Sequence, residues 1–151
     1  MAIEILIEST EINPPDQHML IEAIQNTLDA EGKFNADITL KFTGDKEMCH
    51  LNQTYRQIDH TTDVLSFNQD YIDPETGRLY LGDIVISLEQ AQKQAEENQK
   101  SLHEEYVRLA IHGTLHLLGY DHAEPDEEAD MWELQESLVL NVLRSLQEGN
   151  E

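Results

Sequence analysis

The segment HGTLHLLGYDH, residues 112–122, gathers three of the chain's seven histidines and an aspartate into one short stretch. His112 and His116 stand four positions apart, so on a helix their Cβ atoms lie about 5–6 Å from each other on one face. Two imidazoles at that separation can converge on one ion, with zinc–nitrogen distances of about 2.0–2.1 Å. Gly119, just past the apolar pair Leu117 and Leu118, suits a left-handed helix stop. The turn at Tyr120 and Asp121 can then bring His122 back toward the ion from outside the helix. Three neutral imidazoles leave the fourth tetrahedral position open, the pattern of a catalytic rather than a closed structural site. A lone pair at this spacing is more often an accident of a surface or core helix; a third histidine placed after a glycine stop argues for metal.

The same spacing invites comparison with the zinc peptidases, whose helix carries H-E-x-x-H. Here Gly113 occupies the place of the glutamate that serves those enzymes as general base toward the attacking water. Peptidase chemistry is poorly supported, while the metal geometry is kept. Hydrolysis stays open if the substrate, or another carboxylate such as Asp83 or Glu105, accepts the proton. A phosphodiester is a substrate that needs an open metal and little else, since metal and arginine together stabilise charge growing on phosphoryl oxygens. Arg56, within LNQTYRQIDHTTDVLSF, lies between a predicted helix and a predicted strand, where its planar fork could grip a phosphate bidentately. An ion pair with one of the many acids is the other reading of that arginine. Cys49 reads as a small apolar residue, and His18, His50, His60 and His103 as surface or cap residues.

These side chains need a frame. Alternating Ile3, Ile5 and Ile7 predict a half-buried strand. Asn13 as cap, Pro14 in the first turn and Asp16 predict a helix over 14–31, stopped by Gly32. A second alternating strand covers 37–44, and Asp45 can cap a helix through about Tyr55, with Met48, Leu51 and Tyr55 on one face. The apolar runs 63–67 and 81–87 read as a strand pair joined by the exposed loop QDYIDPETG. Ser87 with Gln90 and Ser101 with Glu104 form capping boxes for two helices, one ending near Asn98 and one running from Leu102 to about Leu118. A last helix starts near Pro125, with Met131, Leu134, Leu138 and Val142 on its core stripe. The expected fold is a mixed α/β (α+β) domain with four strands, a helical C-terminal half and the metal-binding helix within it. Strand order stays open.

At 151 residues the chain fits a single domain, 1–151, large enough to bury a core without disulfides. The opening MAIEILIEST does not read as a signal peptide, and no stretch reaches the ~18 apolar residues of a membrane span. One cysteine fits a reducing compartment, so the cytosol is expected. The formal net charge of −22 argues at first against nucleic acid, because phosphate binding is driven by Lys and Arg. The charge is uneven, however: residues 33–78 carry five basic groups against eight acids, a net of −3, leaving −19 for the remainder. Acidic helices facing solvent account for this simply, and the same asymmetry leaves a less repulsive side for an anion.

HGTLHLLGYDH, LNQTYRQIDHTTDVLSF and LGDIVIS, in this order and near these spacings, resemble the bacterial YbeY family of endoribonucleases and ribosomal RNA maturation factors. The match runs from the Asn52 region to the Met131–Glu136 helix. The resemblance implies a central mixed sheet covered by helices and one zinc per chain, held by His112, His116 and His122. It implies a functional role for Arg56. It also implies single-strand-specific cleavage in 3′-end maturation of small-subunit ribosomal RNA and in ribosome quality control. Ribosomal small-subunit proteins and an Era-type GTPase are the partners implied, with no DNA and no membrane. Two departures touch no proposed ligand: His60-Thr61 stands where members often have Lys-Pro, and Asn68 where proline is common. Two other readings remain: a non-hydrolytic ribosome-assembly factor with a structural zinc, whose acidic surface meets basic proteins, and, less favoured, a zinc peptidase.

Overall fold

The aliphatic alternation at both ends of the first crossover becomes a pair of parallel strands. In β1 (Ile3–Ile7), Ile3, Ile5 and Ile7 stand opposite Ile38, Leu40 and Phe42 of β2 (Ala36–Thr43). The computed structural model describes residues 3–7, 15–120 and 124–149. Parallel neighbours require a crossover, and α1 (Gln17–Ala30) supplies it. Its cap is Asp16, whose carboxylate accepts from the Met19 N–H at 3.3 Å. The helix therefore starts three residues later than expected, and the predicted cap Asn13 and Pro14 lie outside the described residues. Gly32, at φ +73°, ends the helix as expected.

Helix α2 (Asp45–Arg56) is capped by Gly44 rather than Asp45. The Asp45 carboxylate is drawn away by Ser87 Oγ at 2.7 Å, Gln90 Nε2 at 2.9 Å and Thr61 Oγ1 at 3.0 Å. Partial burial pushes that carboxyl up, and the hydrogen bonds outweigh it, so its pKa is lowered. Strands β3 (Val64–Ile72) and β4 (Leu79–Ser87) form an antiparallel hairpin longer than the sequence implied. Half of the predicted loop is strand, because Tyr71 and Tyr80 face each other and stack at 5.3 Å. An irregularity between Asn68 and Tyr71, with Asp70 at φ +48°, absorbs the register.

The sheet order is β1-β2-β4-β3, mixed, with β3 at one edge. Three further helices follow: α3 (Leu88–Glu97), α4 (Leu102–Leu117) and α5 (Pro125–Gly149). Both serine N-caps form, with Ser87 and Ser101 accepting from the N–H groups of Gln90 and Glu104. The box at Ser87 does not close, because the Gln90 amide donates to Asp45 and the Ser87 N–H to the Asp63 carbonyl. One sheet face buries Ile38, Leu40, Phe42, Ile84 and Ile86 against Leu20, Ile24 and Leu28 of α1 and Tyr106, Leu109 and Ala110 of α4. Behind this layer, Val107, Ile111 and Leu115 of α4 pack on Met131, Leu138 and Val142 of α5. Each fully buried aliphatic contributes about 1.5–3 kcal/mol, which holds α4 rigidly between sheet and outer helix. The other sheet face is covered by α2 through Met48 and Leu51 on Leu65, Phe67 and Val85.

Candidate active site

Helix α4 approaches β4 so closely that a side chain at Gly113 has no room: a Cβ there would fall 2.7 Å from Ile84 Cγ2. The glycine that sets this motif apart from H-E-x-x-H is thus the contact that seats the helix on the sheet. Edge strand β3 fastens the same helix. Ser66 Oγ donates to the Gly113 carbonyl at 3.2 Å, and Asn68 Nδ2 donates to the Leu117 carbonyl at 3.0 Å. Asn68 here satisfies a last-turn carbonyl that has no partner within its helix. Gly119 takes φ +102° just past the helix.

His112 and His116 are half-buried, with ring centroids 4.7 Å apart and planes at 68°. Nδ1 of His112 lies 2.7 Å from Oε1 of Gln135 on α5, and Gln135 is 4% exposed. The direction of that bond follows from what lies behind it. Gln135 Nε2 donates to Glu136 Oε2 at 3.2 Å, so the amide oxygen faces the imidazole; the reversed amide would set two acceptors against each other. Glu136 is gripped by Arg108, Nε to Oε2 and Nη2 to Oε1, both at 2.9 Å. Arg108 also reaches Glu104 at 3.0 Å and Glu105 at 3.7 Å. The chain Arg108–Glu136–Gln135 therefore places the proton of His112 on Nδ1 and makes Nε2 the acceptor nitrogen of the ring. Burial pushes the Glu136 carboxyl up, but its bond to Arg108 prevails and its pKa is lowered.

Both histidines open into a cavity of about 330 Å³ whose rim includes Arg56, Asn52, His60, Thr62, Asp63 and Ser66. Arg56 is the last residue of α2, and Gln57 turns the chain there at φ +59°. Arg56 is exposed, and among the described residues it makes no ion pair, so the ion-pair alternative is not the arrangement observed. The segment between α2 and β3 is pinned across the rim by Asn52 Nδ2 donating to the His60 carbonyl at 2.9 Å and by Thr61 on Asp45.

The proton-acceptor candidates from the sequence lie elsewhere. Asp83 shares the opposite sheet face with Val85, beside Leu51 and Tyr55, and its carboxylate is occupied by Tyr80 and Gln69. Strand alternation explains this: Ile84 meets α4, so Asp83 must point away. Glu105 is buried beside Arg108 in a separate depression, and burial raises its pKa. Of the histidines read as surface residues, His18, His50 and His103 are exposed away from the cavity, whereas exposed His60 lines it. Cys49 is free and half-buried. His122, the third predicted ligand, lies outside the described residues, and among those described no third His, Cys, Asp or Glu joins the pair.

Sequence reasoning missed Asn52, His60 and Gln135. Asn52 was findable one turn before Arg56, and Gln135 as a polar residue four positions after Met131 on the buried stripe of α5.

A four-stranded mixed sheet backed by helices, with a histidine pair facing a cavity at its edge strand, defines an α+β class that solved structures also contain. The solution structure of TM1509 from Thermotoga maritima matches it with a TM-score of 0.66 at 26% identity, covering 97% of this chain and 93% of that one. The family model described as Endoribonuclease YbeY matches residues 3–143. Relatives named Endoribonuclease YbeY include one from Persephonella marina, 43% identical over 80% of each chain. Another, from Streptococcus suis, is 34% identical over 92% of this chain and 95% of its own. This chain belongs to the YbeY endoribonuclease family. Among the described residues no helix is long and apolar enough to cross a membrane.

Proposed function

We propose that this chain acts as one hydrolase domain, a zinc-dependent endoribonuclease specific for single-stranded RNA. Its place would be 3′-end maturation of small-subunit ribosomal RNA and ribosome quality control in the cytoplasm, with ribosomal small-subunit proteins and an Era-type GTPase as partners. The observation that carries the reading is the meeting of His112, His116 and Arg56 at one cavity. Two imidazoles four residues apart, one with its far nitrogen already tied, are a donor set that suits zinc. His122 would complete it.

When bound, the metal supplies Lewis-acid polarisation of the oxygen it faces. The chain's own residues do the rest. Arg56, free of carboxylates among the described residues, offers its guanidinium to the scissile phosphate and balances charge developing on its oxygens. Gln135 holds the His112 ring in one tautomer and one orientation. The 57–63 segment, tied down at Asn52 and Asp45, keeps the rim in place.

The net charge of −22 favours a second reading, a structural zinc in an assembly factor that meets basic proteins. Chelation separates the two. Dialysis against a chelator abolishes cleavage of a defined single-stranded RNA while circular dichroism stays folded, and zinc restores the activity. Unfolding on chelation, with no cleavage at any stage, would establish the structural reading.

A further inference from the structure

Next to the histidine cavity lies a second depression of about 250 Å³, lined by His112, Glu128, Met131, Trp132 and Gln135. The four α5 residues follow the spacing of one helical face, with Met131 and Gln135 turned inward and Glu128 and Trp132 outward. Trp132 is the chain's single tryptophan and is 60% exposed, so an indole face is open beside the depression. His112 is a wall of both cavities, so the depression beside the indole adjoins the one that holds Arg56 and the histidine pair.

Charge decides which part of an RNA strand stops there. The depression carries the Glu128 carboxylate and no Lys or Arg. Lys100 and Arg108 of the depression on the other side of Trp132 are held by Glu104, Glu105 and Glu136, so the surface repels a phosphate while Glu128 accepts from an amino group. A protein of charge −22 also cannot draw its affinity for RNA mainly from phosphate contacts, so stacking must supply more of it. We propose that Trp132 is the platform of a nucleobase subsite: the base of a nucleotide adjoining the scissile phosphate stacks on the indole, with Glu128 favouring bases that present amino protons. The proposal rests on the ribonuclease reading above, but its principal test does not require cleavage.

Because the tryptophan is unique, its fluorescence reports occupancy without a label. Titrating the zinc-loaded protein with a 2′-O-methyl single-stranded oligoribonucleotide should quench it, and an oligonucleotide abasic throughout should not. In steady-state cleavage, Trp132→Ala raises KM by about 5- to 150-fold, far more than it lowers kcat, and Trp132→Phe recovers most of the loss. Binding seen by anisotropy with unchanged tryptophan emission, or cleavage with an unchanged KM in Trp132→Ala, would overturn the subsite. If the wild type cuts no RNA, the ribonuclease reading fails, and fluorescence decides the subsite alone: quenching upholds it and unchanged emission ends it.

Discussion

Nδ1 of His112 sits 2.7 Å from Oε1 of Gln135, and the amide behind that bond is oriented by Glu136. A neutral amide in this position fixes the imidazole without placing a negative charge beside the site, which suits an anionic substrate. Gln135→Leu should lower zinc affinity by about 10- to 100-fold with the fold retained, and Gln135→Glu should restore it because a carboxylate accepts the same proton. Competition against a zinc chelator measures both. Unchanged affinity in Gln135→Leu would remove Gln135 from the positioning of His112.

Arg56 is exposed and unpaired among the described residues, so its truncation should leave stability within about 0.5 kcal/mol. Zinc content should also be unchanged, while RNA cleavage falls by about 10²–10³-fold in Arg56→Ala. Arg56→Lys should recover only part of that, since an ammonium cannot grip a phosphate bidentately. Single-turnover cleavage with parallel metal analysis is the check, and wild-type rates in Arg56→Ala would contradict the role.

Gly113 is a point of close approach of α4 to the sheet. Gly113→Ala places a methyl against Ile84 and should destabilise by about 1–3 kcal/mol, despite alanine's better helix propensity. Adding Ile84→Ala should relieve the contact, so the two substitutions together cost less than their sum, as denaturant midpoints would show. Gly113→Glu recreates H-E-x-x-H in letters, yet it should unseat the helix and yield no peptidase.

The cluster around Arg108 predicts a pH dependence. Glu136 has a folded pKa below its ordinary value of 4.5, so its contribution to stability is present above that value and lost as pH falls through the folded pKa. Glu105, raised by burial, works oppositely, losing its contribution as pH rises through its folded pKa. Arg108→Leu strands both carboxylates and should cost about 3 kcal/mol near neutrality, with the deficit shrinking toward about pH 4 as they protonate. Melting temperatures of both proteins across that range test the sign. A deficit independent of pH would show that Arg108 acts by packing alone.

What could be read from the sequence follows the range of the forces involved. Strand alternation, both serine N-caps and the i, i+4 histidine pair are local, and each stands where the spacing put it. Errors arose where a side chain had a distant partner. Asp45 was expected to cap its own helix but bonds Ser87 across the fold, and the loop before Asp73 became strand through Tyr71 and Tyr80. Glu105 and Asp83 were plausible acids by type, and only the direction of α4 and the pleat of β4 show that they face elsewhere. Gln135 carried no motif at all; its meaning appears only when α5 lies against α4.

The central claim is that the histidine pair holds the metal that RNA cleavage requires. Measuring zinc content and cleavage of a defined single-stranded RNA on the same preparations of wild type and His116→Ala tests it most directly. The account predicts one zinc per chain and cleavage in the wild type, with both lost in His116→Ala while the circular dichroism spectrum is unchanged. Wild-type zinc content or wild-type cleavage in His116→Ala would contradict it.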